Sequence, residues 1–441
     1  MSPQHEIRMA AASTPFSRRS VLKAGLLGAG AALSTSLLAA CSTGGGSSSG
    51  GKTTIRVWDW YTGQTAGMKK LIADFEESHK SITVEHRVIA DPNSYLVALQ
   101  AAVSGGNVPD IFAPGERALT YGKQGVSLDL KQSLGSSFLS DFFPATNQEF
   151  TVDGKQYAVG YMAQTFGLFY NPDVLAKAGV DGEPETWDDL IEAAAKINAT
   201  GVPTLAIGNN PTSNTGDFFF PLITQVTDDP TYFLKLDALS KGASWDSAPV
   251  RKAIELNEKI IAGKVFVANS TGVTSQQAER LFYTEGAAML YSGSFEPQAF
   301  AQDAPASFVK KYKVMKFPAY ATGKRHWNAD QAGAAYSVSS QTKSKDATLE
   351  FIKYMYEPTR YSALMNGTMA MPSTKDAVDK ITSPIIKQMA GWLDDGCPHI
   401  PFGAGTLAVG DPLSKIYSDP TLSSSQVSKE IQAAVLNAAG K

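Results

Sequence analysis

Between Thr53 and Pro114 the hydrophobic pattern switches period again and again, and this switching constrains the fold more than any other feature of the chain. TTIRVWDWY (53–61) is a β-branched and aromatic run, which predicts a strand. MKKLIADFEESH follows with apolar residues at Met68, Leu71, Ile72 and Phe75, the stripe of an amphipathic helix. ITVEHRVI predicts a second strand, YLVALQAAVSGG a helix closed at Gly105 and Gly106, and VPDIFAP a third strand. Strands joined in this order through helices run parallel, because each crossover returns the chain to the same edge. The expected class is therefore α/β. No glycine-rich dinucleotide fingerprint separates the first strand from its helix.

The later segments keep mixing types. YAVGYM and TFGLFYN read as strands, ETWDDLIEAAAKINA as a helix with Thr186 as its N-cap, and TLAIG as a strand. PVRKAIELNEKIIAG and SQQAERLFYTEG read as helices, AAMLYS and GAAYSVSS as strands, and KDATLEFIKYMYEP as a helix. There is no internal repeat. No Pro/Gly linker cuts this part into sequential domains, so lobes that exchange segments are expected.

Composition narrows the chemistry. The chain has 441 residues, 43% of them hydrophobic and 18% charged, with a net charge of -3. Basic runs that would grip phosphates are absent, so no nucleic-acid partner is expected. There is no Walker loop, GxSxG elbow or HExxH pair, so neither a cofactor nor a metal is expected. Cys397 and His399 in CPHI supply only two possible zinc ligands. ALMNGTMAMPS, with three methionines, reads as core packing. A glycosidase carboxylate pair stays open, because carboxylates are plentiful.

The first fifty residues are different in kind. Arg18 and Arg19 precede a run of small and apolar residues from Ala24 to Ala40, the layout of an export signal. That run is too short and too diluted by Gly, Ser and Thr for a spanning helix. SRRSVLK resembles the twin-arginine signal, with Val21 in place of the usual Phe, although the general export route is also open. LAAC (38–41) resembles the bacterial lipobox, which implies lipidation of Cys41 and removal of residues 1–40. Residues 41–52 would then form a flexible Gly/Ser tether. Several acyl chains hold a protein at a membrane more firmly than one.

Four further stretches resemble one family in order and spacing. They are GGNVPDIFAPGERALTYGKQGVSLDL, YAVGYMAQTFGLFYNPDVLAKAGV with PETWDDL, LFYTEGAAMLYSGSF, and AAYSVSSQTKSKDATLEFIKYM. The chain resembles the extracellular solute-binding proteins of ABC importers, in the sugar-binding group that includes maltose-binding protein. The resemblance implies a two-lobed periplasmic-binding-protein-like α/β fold, with the solute in a cleft between lobes joined by crossing segments. It places 53–162 and 297–340 in the first lobe, and 163–296 and 341–441 in the second. It implies a monomeric receptor without enzymatic activity, held outside the cell membrane by its lipid anchor. Its solute would be a mono- or oligosaccharide, and its partners the transmembrane subunits of an ABC permease. A secreted glycoside hydrolase, or a receptor for a non-sugar solute such as a polyol, a glycerophosphodiester or an oligopeptide, are the alternatives.

Candidate solute-binding residues come from two sources. Ligands of open α/β sheets bind beyond the carboxyl ends of strands, which points to Asp59, Trp60 and Tyr61 after the first strand and to Glu116 and Arg117 after the third. One of Trp58 and Trp60 is expected in the core, with Trp60 facing the cleft. The resemblance places Glu116 and Arg117 on a sugar-binding Asp-Arg pair. It also places Gln164 near a family carboxylate, Phe295 where a stacking Trp is common, and Asp217 near another contact. Trp327 and Asp330 lie just before a strand and are added as cleft candidates. Plainer readings stand beside these: Glu116 and Arg117 as a solvated pair, Phe295 as core.

Overall fold

The computed structural model describes residues 52–399 and 406–441. The export signal, Arg18, Arg19 and Cys41 lie outside the described residues. The body is organised on a nine-stranded sheet. Its strands are β1 (Thr53–Asp59), β2 (Ile82–Val88), β3 (Ile111–Phe112), β4 (Val159–Tyr170), β5 (Leu205–Ala206), β6 (Met289–Gly293), β7 (Lys313–Met315), β8 (Ala329–Val338) and β9 (Cys397–Pro398). The main path runs β2-β1-β3-β8-β4-β6-β5, while β7 pairs with β4 and β9 with β8.

β1 runs parallel to both β2 and β3, as the alternation requires. Helices α1 (Thr65–Ser78) and α2 (Pro92–Ser104) make the crossovers. α1 buries Met68, Leu71, Ile72 and Phe75, the predicted stripe. Helix α3 (Trp187–Ala199) starts at Thr186, whose hydroxyl accepts from Asp189 N–H while the Asp189 carboxylate accepts from Thr186 N–H. Such a reciprocal cap satisfies two otherwise bare donors. Helix α4 (Thr215–Thr227) carries Pro221 in its interior, and helix α5 (Glu296–Asp303) begins just after Phe295.

The two strands expected from YAVGYM and TFGLFYN are one strand, β4, twelve residues long. It pairs antiparallel with β8 and then β7 along one edge, and with β6 along the other. Two hydrophobic clusters share these strands. Val159, Tyr161 and Ala163 of β4 sit in the cluster around Ile55, Phe75 and Phe112. Phe166, Leu168 and Tyr170 sit in the cluster around Trp187, Phe218 and Trp245. β8 crosses likewise, with Ala329 in the second cluster and Ala334, Tyr336 and Val338 in the first.

The hydrophobic clusters do not follow the expected lobe borders, and they do not define lobes either, since Leu205 and Met289 lie in the second cluster and their neighbours Ala206 and Leu290 in the first. Leu349, Ile352, Met365 and Ile386, assigned to the second lobe, are buried in the first cluster. Met315, Phe317 and Trp327, assigned to the first lobe, are buried in the second. An amphipathic helix or strand edge shows that it must be covered, not which sheet covers it.

Candidate functional site

A cleft of about 470 Å³ opens where the end of β1, the middle of β4, the start of α5 and the segment 369–371 meet. Trp60, Tyr61, Gln164 and Phe295, all expected candidates, line it together. Trp60 is held by its neighbours, with its ring 5.0 Å from that of Tyr61 and 4.9 Å from that of Tyr95. Phe295 is 40% exposed and meets Phe166 edge-on at 6.0 Å. A solvent-facing aromatic ring at a cleft wall offers an apolar face to a ligand. Two glycines make room for these side chains. A Cβ at Gly293 would come within 2.5 Å of the Phe295 ring, and one at Gly333 within 2.3 Å of Gln164 Cδ. Gly333 lies where the β4–β8 register shifts, between Ala332 and Ala334.

The cleft is lined without a charged side chain among the described residues. Its polar groups are Thr62, Gln64, Gln164, Ser294, Gln298 and Gln302. Gln64, Gln298 and Gln302 escaped sequence reasoning, because a glutamine on a helix or loop reads as ordinary solvated surface. Met369 lines the cleft, against the core reading of its segment, whereas Met365 and Met371 are buried in the first cluster as that reading expected, Met371 also bordering the cleft. Met adapts to irregular apolar surfaces, so composition alone did not separate the two roles.

Other candidates stand elsewhere. Asp59 is buried beneath the floor of the cleft, where its carboxylate accepts from Tyr336 Oη at 2.6 Å and from Tyr61 N–H at 3.0 Å, and lies 2.8 Å from His86 Nε2. It orients the Trp60–Tyr61 turn and does not reach the cleft. The strand period explains this: Asp59 shares the inward face with Ile55 and Val57. Trp58 and Trp60 share the opposite phase, so neither is core, and the Arg87 guanidinium lies 4.5 Å over the Trp58 ring. Glu116 and Arg117 are exposed in a 3-10 turn outside the cleft lining, and Arg117 donates to Gln100 at 3.1 Å. Their neighbour Gly115 is the residue that backs Trp60.

Trp327 is only 3% exposed and packs in the second cluster with Arg325 over its ring, so it is not a cleft residue. Asp330 is buried as well, accepting from Asn328 Nδ2, and burial pushes its ionisation up to about 7. Trp327 stands two residues before β8 and Asp330 is the second residue within it, so no loop carries either of them outward. Asp217 lines a smaller pocket of about 100 Å³ that shares Phe295 with the main cleft. Burial pushes its carboxyl up to about 7.

Two carboxyls stand behind the cleft walls. Glu149 Oε1 accepts from Ala332 N–H at 2.6 Å, and Glu296 accepts from the Ser292 hydroxyl. The second oxygen of each is buried without a partner, and burial pushes both up to about 8. Among the described residues no group of three or more His, Cys, Asp or Glu side chains is placed to hold a metal. Cys397 is a buried free thiol pushed up by burial. No helix among the described residues is long and apolar enough to cross a membrane.

The pattern of the bacterial extracellular solute-binding protein family matches residues 59–359. The chain belongs to that family. This solute-binding protein is 26% identical over 342 residues to the multiple sugar-binding protein of Streptococcus mutans, covering 76% of this chain and 78% of the relative. It is 24% identical over 319 residues to the galactooligosaccharide-binding protein of Bacillus subtilis, covering 70% of each. Its fold is similar to that of apo RafE from Streptococcus pneumoniae, with a TM-score of 0.75 at 19% identity over 90% of this chain and all of that one. It is also similar to the cyclic alpha-maltosyl-1,6-maltose binding protein of Arthrobacter globiformis, with a TM-score of 0.74 at 20% identity over 88% of this chain and 99% of that one. These relatives and structures are binding proteins, and the chain is a solute-binding receptor, not an enzyme.

Proposed function

We propose that this solute-binding protein captures a neutral mono- or oligosaccharide in the Trp60–Phe295 cleft and delivers it to the transmembrane subunits of an ABC importer. The observation that carries the reading is the lining: aromatic rings, methionines and amides, with no charged side chain among the described residues. A sugar presents C–H faces that rings cover and hydroxyls that amides bind in either direction. A glycerophosphodiester or a charged peptide would leave its charge desolvated and unpaired in such a lining. The names of the relatives, several of them sugar-binding proteins, support the same class.

Two lobes would close on the solute by a hinge motion. The lipobox resemblance at Cys41 supports an anchored receptor working outside the cell membrane.

A thermal-shift screen tests the solute class, because a ligand that binds only the folded state raises the melting temperature. Neutral oligosaccharides should raise it, and their phosphorylated counterparts should not. A phosphorylated or peptide solute that stabilises the protein where no neutral sugar does overturns the reading.

A further inference from the structure

Strand β1 ends at Asp59, whose carbonyl accepts from Ile89 N–H at 2.9 Å. The chain then turns and puts Trp60 and Tyr61 on the cleft wall. Past the strand end the Tyr61 N–H has no neighbouring strand to donate to, and a buried N–H without an acceptor is costly. It donates to Asp59 Oδ1 at 3.0 Å. The turn therefore depends on where the Asp59 carboxylate is held.

Two side chains hold that carboxylate from the side away from the cleft. Tyr336 of β8 donates its hydroxyl to Asp59 Oδ2 at 2.6 Å, and His86 Nε2 of β2 lies 2.8 Å from the same oxygen. A carboxylate only accepts, so Nε2 carries the proton. His86 reaches Asp59 because it shares the inward phase of Ile82 and Val84, as Asp59 shares that of Ile55 and Val57. Its neighbour Arg87 has the opposite phase and lies over the Trp58 ring, so it does not substitute. Among the described residues His86 is the only basic side chain within 4 Å of the Asp59 carboxylate. The two side chains are 10% and 1% exposed. A carboxylate this dry, stripped of one donor, shifts toward whatever donors remain.

Other contacts fix the far ends of the two cleft rings. Trp60 packs on Tyr95, and the Tyr61 hydroxyl bonds Ala335. Asp59 acts between them, on the backbone from which both rings leave. It is the one support of the turn that a side chain on another strand can move.

We infer that His86 is a positioning residue of the cleft, which donates Nε2–H to Asp59 and so fixes the turn that presents Trp60 and Tyr61 to the solute. His86 is not in the cleft lining and touches no solute itself. The hold on the turn is a property of the protein alone; its use in capture rests on the sugar reading above.

The test compares His86→Ala with His86→Gln, whose Nε2 restores a donor near the lost one. The first readout is hydrogen exchange at the Tyr61 amide of the whole chain. His86→Ala should speed it about tenfold or more, and His86→Gln should return it toward the unaltered rate. The Leu190 amide, bonded to Thr186 at the start of α3, should keep its rate in both. An unchanged Tyr61 rate in His86→Ala, an equal change at Leu190, or a Gln variant no better than Ala overturns the inference. The second readout is calorimetry with raffinose and maltose as probes. Binding should weaken about tenfold in His86→Ala, the scale of one hydrogen bond to a charged group, and recover in His86→Gln. Full affinity in His86→Ala overturns the role in capture. Should His86→Ala fail to fold, a long-range ¹H–¹⁵N spectrum of the unaltered chain labelled with ¹⁵N-histidine decides, with His86 assigned through His86→Gln. A proton on Nε2 is expected, and a neutral ring protonated on Nδ1 overturns the inference. If neither sugar binds the unaltered chain, it is the sugar reading that fails, and the Tyr61 exchange rate still decides what His86 holds.

Discussion

The hydroxyl of Tyr61 bonds Ala335 in both directions, donating to its carbonyl at 2.9 Å and accepting from its N–H at 3.0 Å. The side chain thus stands in for a strand partner at the point where the register of β8 has just shifted. Tyr61→Phe removes both bonds and keeps the ring in the cleft. Two buried backbone groups are left bare, so unfolding in urea should show a loss of about 2–4 kcal/mol. Solute affinity should fall by less, because the ring face is unchanged.

Phe295 and Phe218 separate cleft from core. Phe295→Ala should weaken solute binding by about 1–3 kcal/mol, the scale for truncated aromatic hot spots. Unfolding of the solute-free protein should shift by much less than that of a core truncation, since 40% of Phe295 is exposed. Phe218→Ala, at a fully buried site, should cost about 3–5 kcal/mol of stability. If Phe295→Ala destabilises the solute-free protein as Phe218→Ala does, the ring is a packing residue and the cleft is misplaced.

The buried carboxyls set a pH dependence. Glu149 and Glu296 are raised from 4.5 to about 8, and Asp217 and Asp330 from 3.8 to about 7. Each binds its proton more tightly in the folded state, so its stabilisation is complete below the unfolded value and is lost as pH rises through the folded one. His399 has the opposite sense: lowered from 6.5 to about 3, it removes stability as pH falls between those values. Four groups outweigh one, so the melting temperature should decline from about pH 5 to about pH 8. Glu149→Gln should flatten that decline. A melting temperature that climbs over this range contradicts the burial of these groups.

The lipobox resemblance makes its own prediction. Cys41→Ser removes the only residue offered for acylation, so the protein should move from the membrane fraction to the soluble fraction with its unfolding curve unchanged. Retention in the membrane fraction would point back to a spanning segment before residue 41.

The parallel β1–β2–β3 layer was legible because period-two and period-3.6 patterns alternate cleanly there. The union of YAVGYM and TFGLFYN was not, because polar Gln164 interrupts the apolar run. That interruption is where β4 passes the cleft, so the break in pattern marked the site and not an end. The rule placing ligands beyond strand ends led to Trp60 and Tyr61, which line the cleft, but also drew in Asp59, whose phase with Ile55 and Val57 points it inward. Trp327 and Asp330 were misplaced because the strand GAAYSVSS begins earlier than its apolar pattern shows: Asp330 is already within β8, and Trp327 enters the core just before it. Gln298, Gln302, Met369 and Met371 reach the cleft through pairings between distant segments, which local periodicity does not encode.

β8 begins in the second hydrophobic cluster and ends in the first, and β4 begins in the first and ends between the two, with Phe169 in the first and Leu168 and Tyr170 in the second. The two clusters are consequently not cassettes. A chimera that takes one lobe from a relative inherits half of two strands, and the pleat must stay in phase across both grafts or every inward side chain beyond the junction turns outward. Exchange of solute preference among such proteins is thereby steered away from shuffling of lobes and toward substitution within the cleft lining, where Gln298 or Met369 can change without disturbing the phase of either strand.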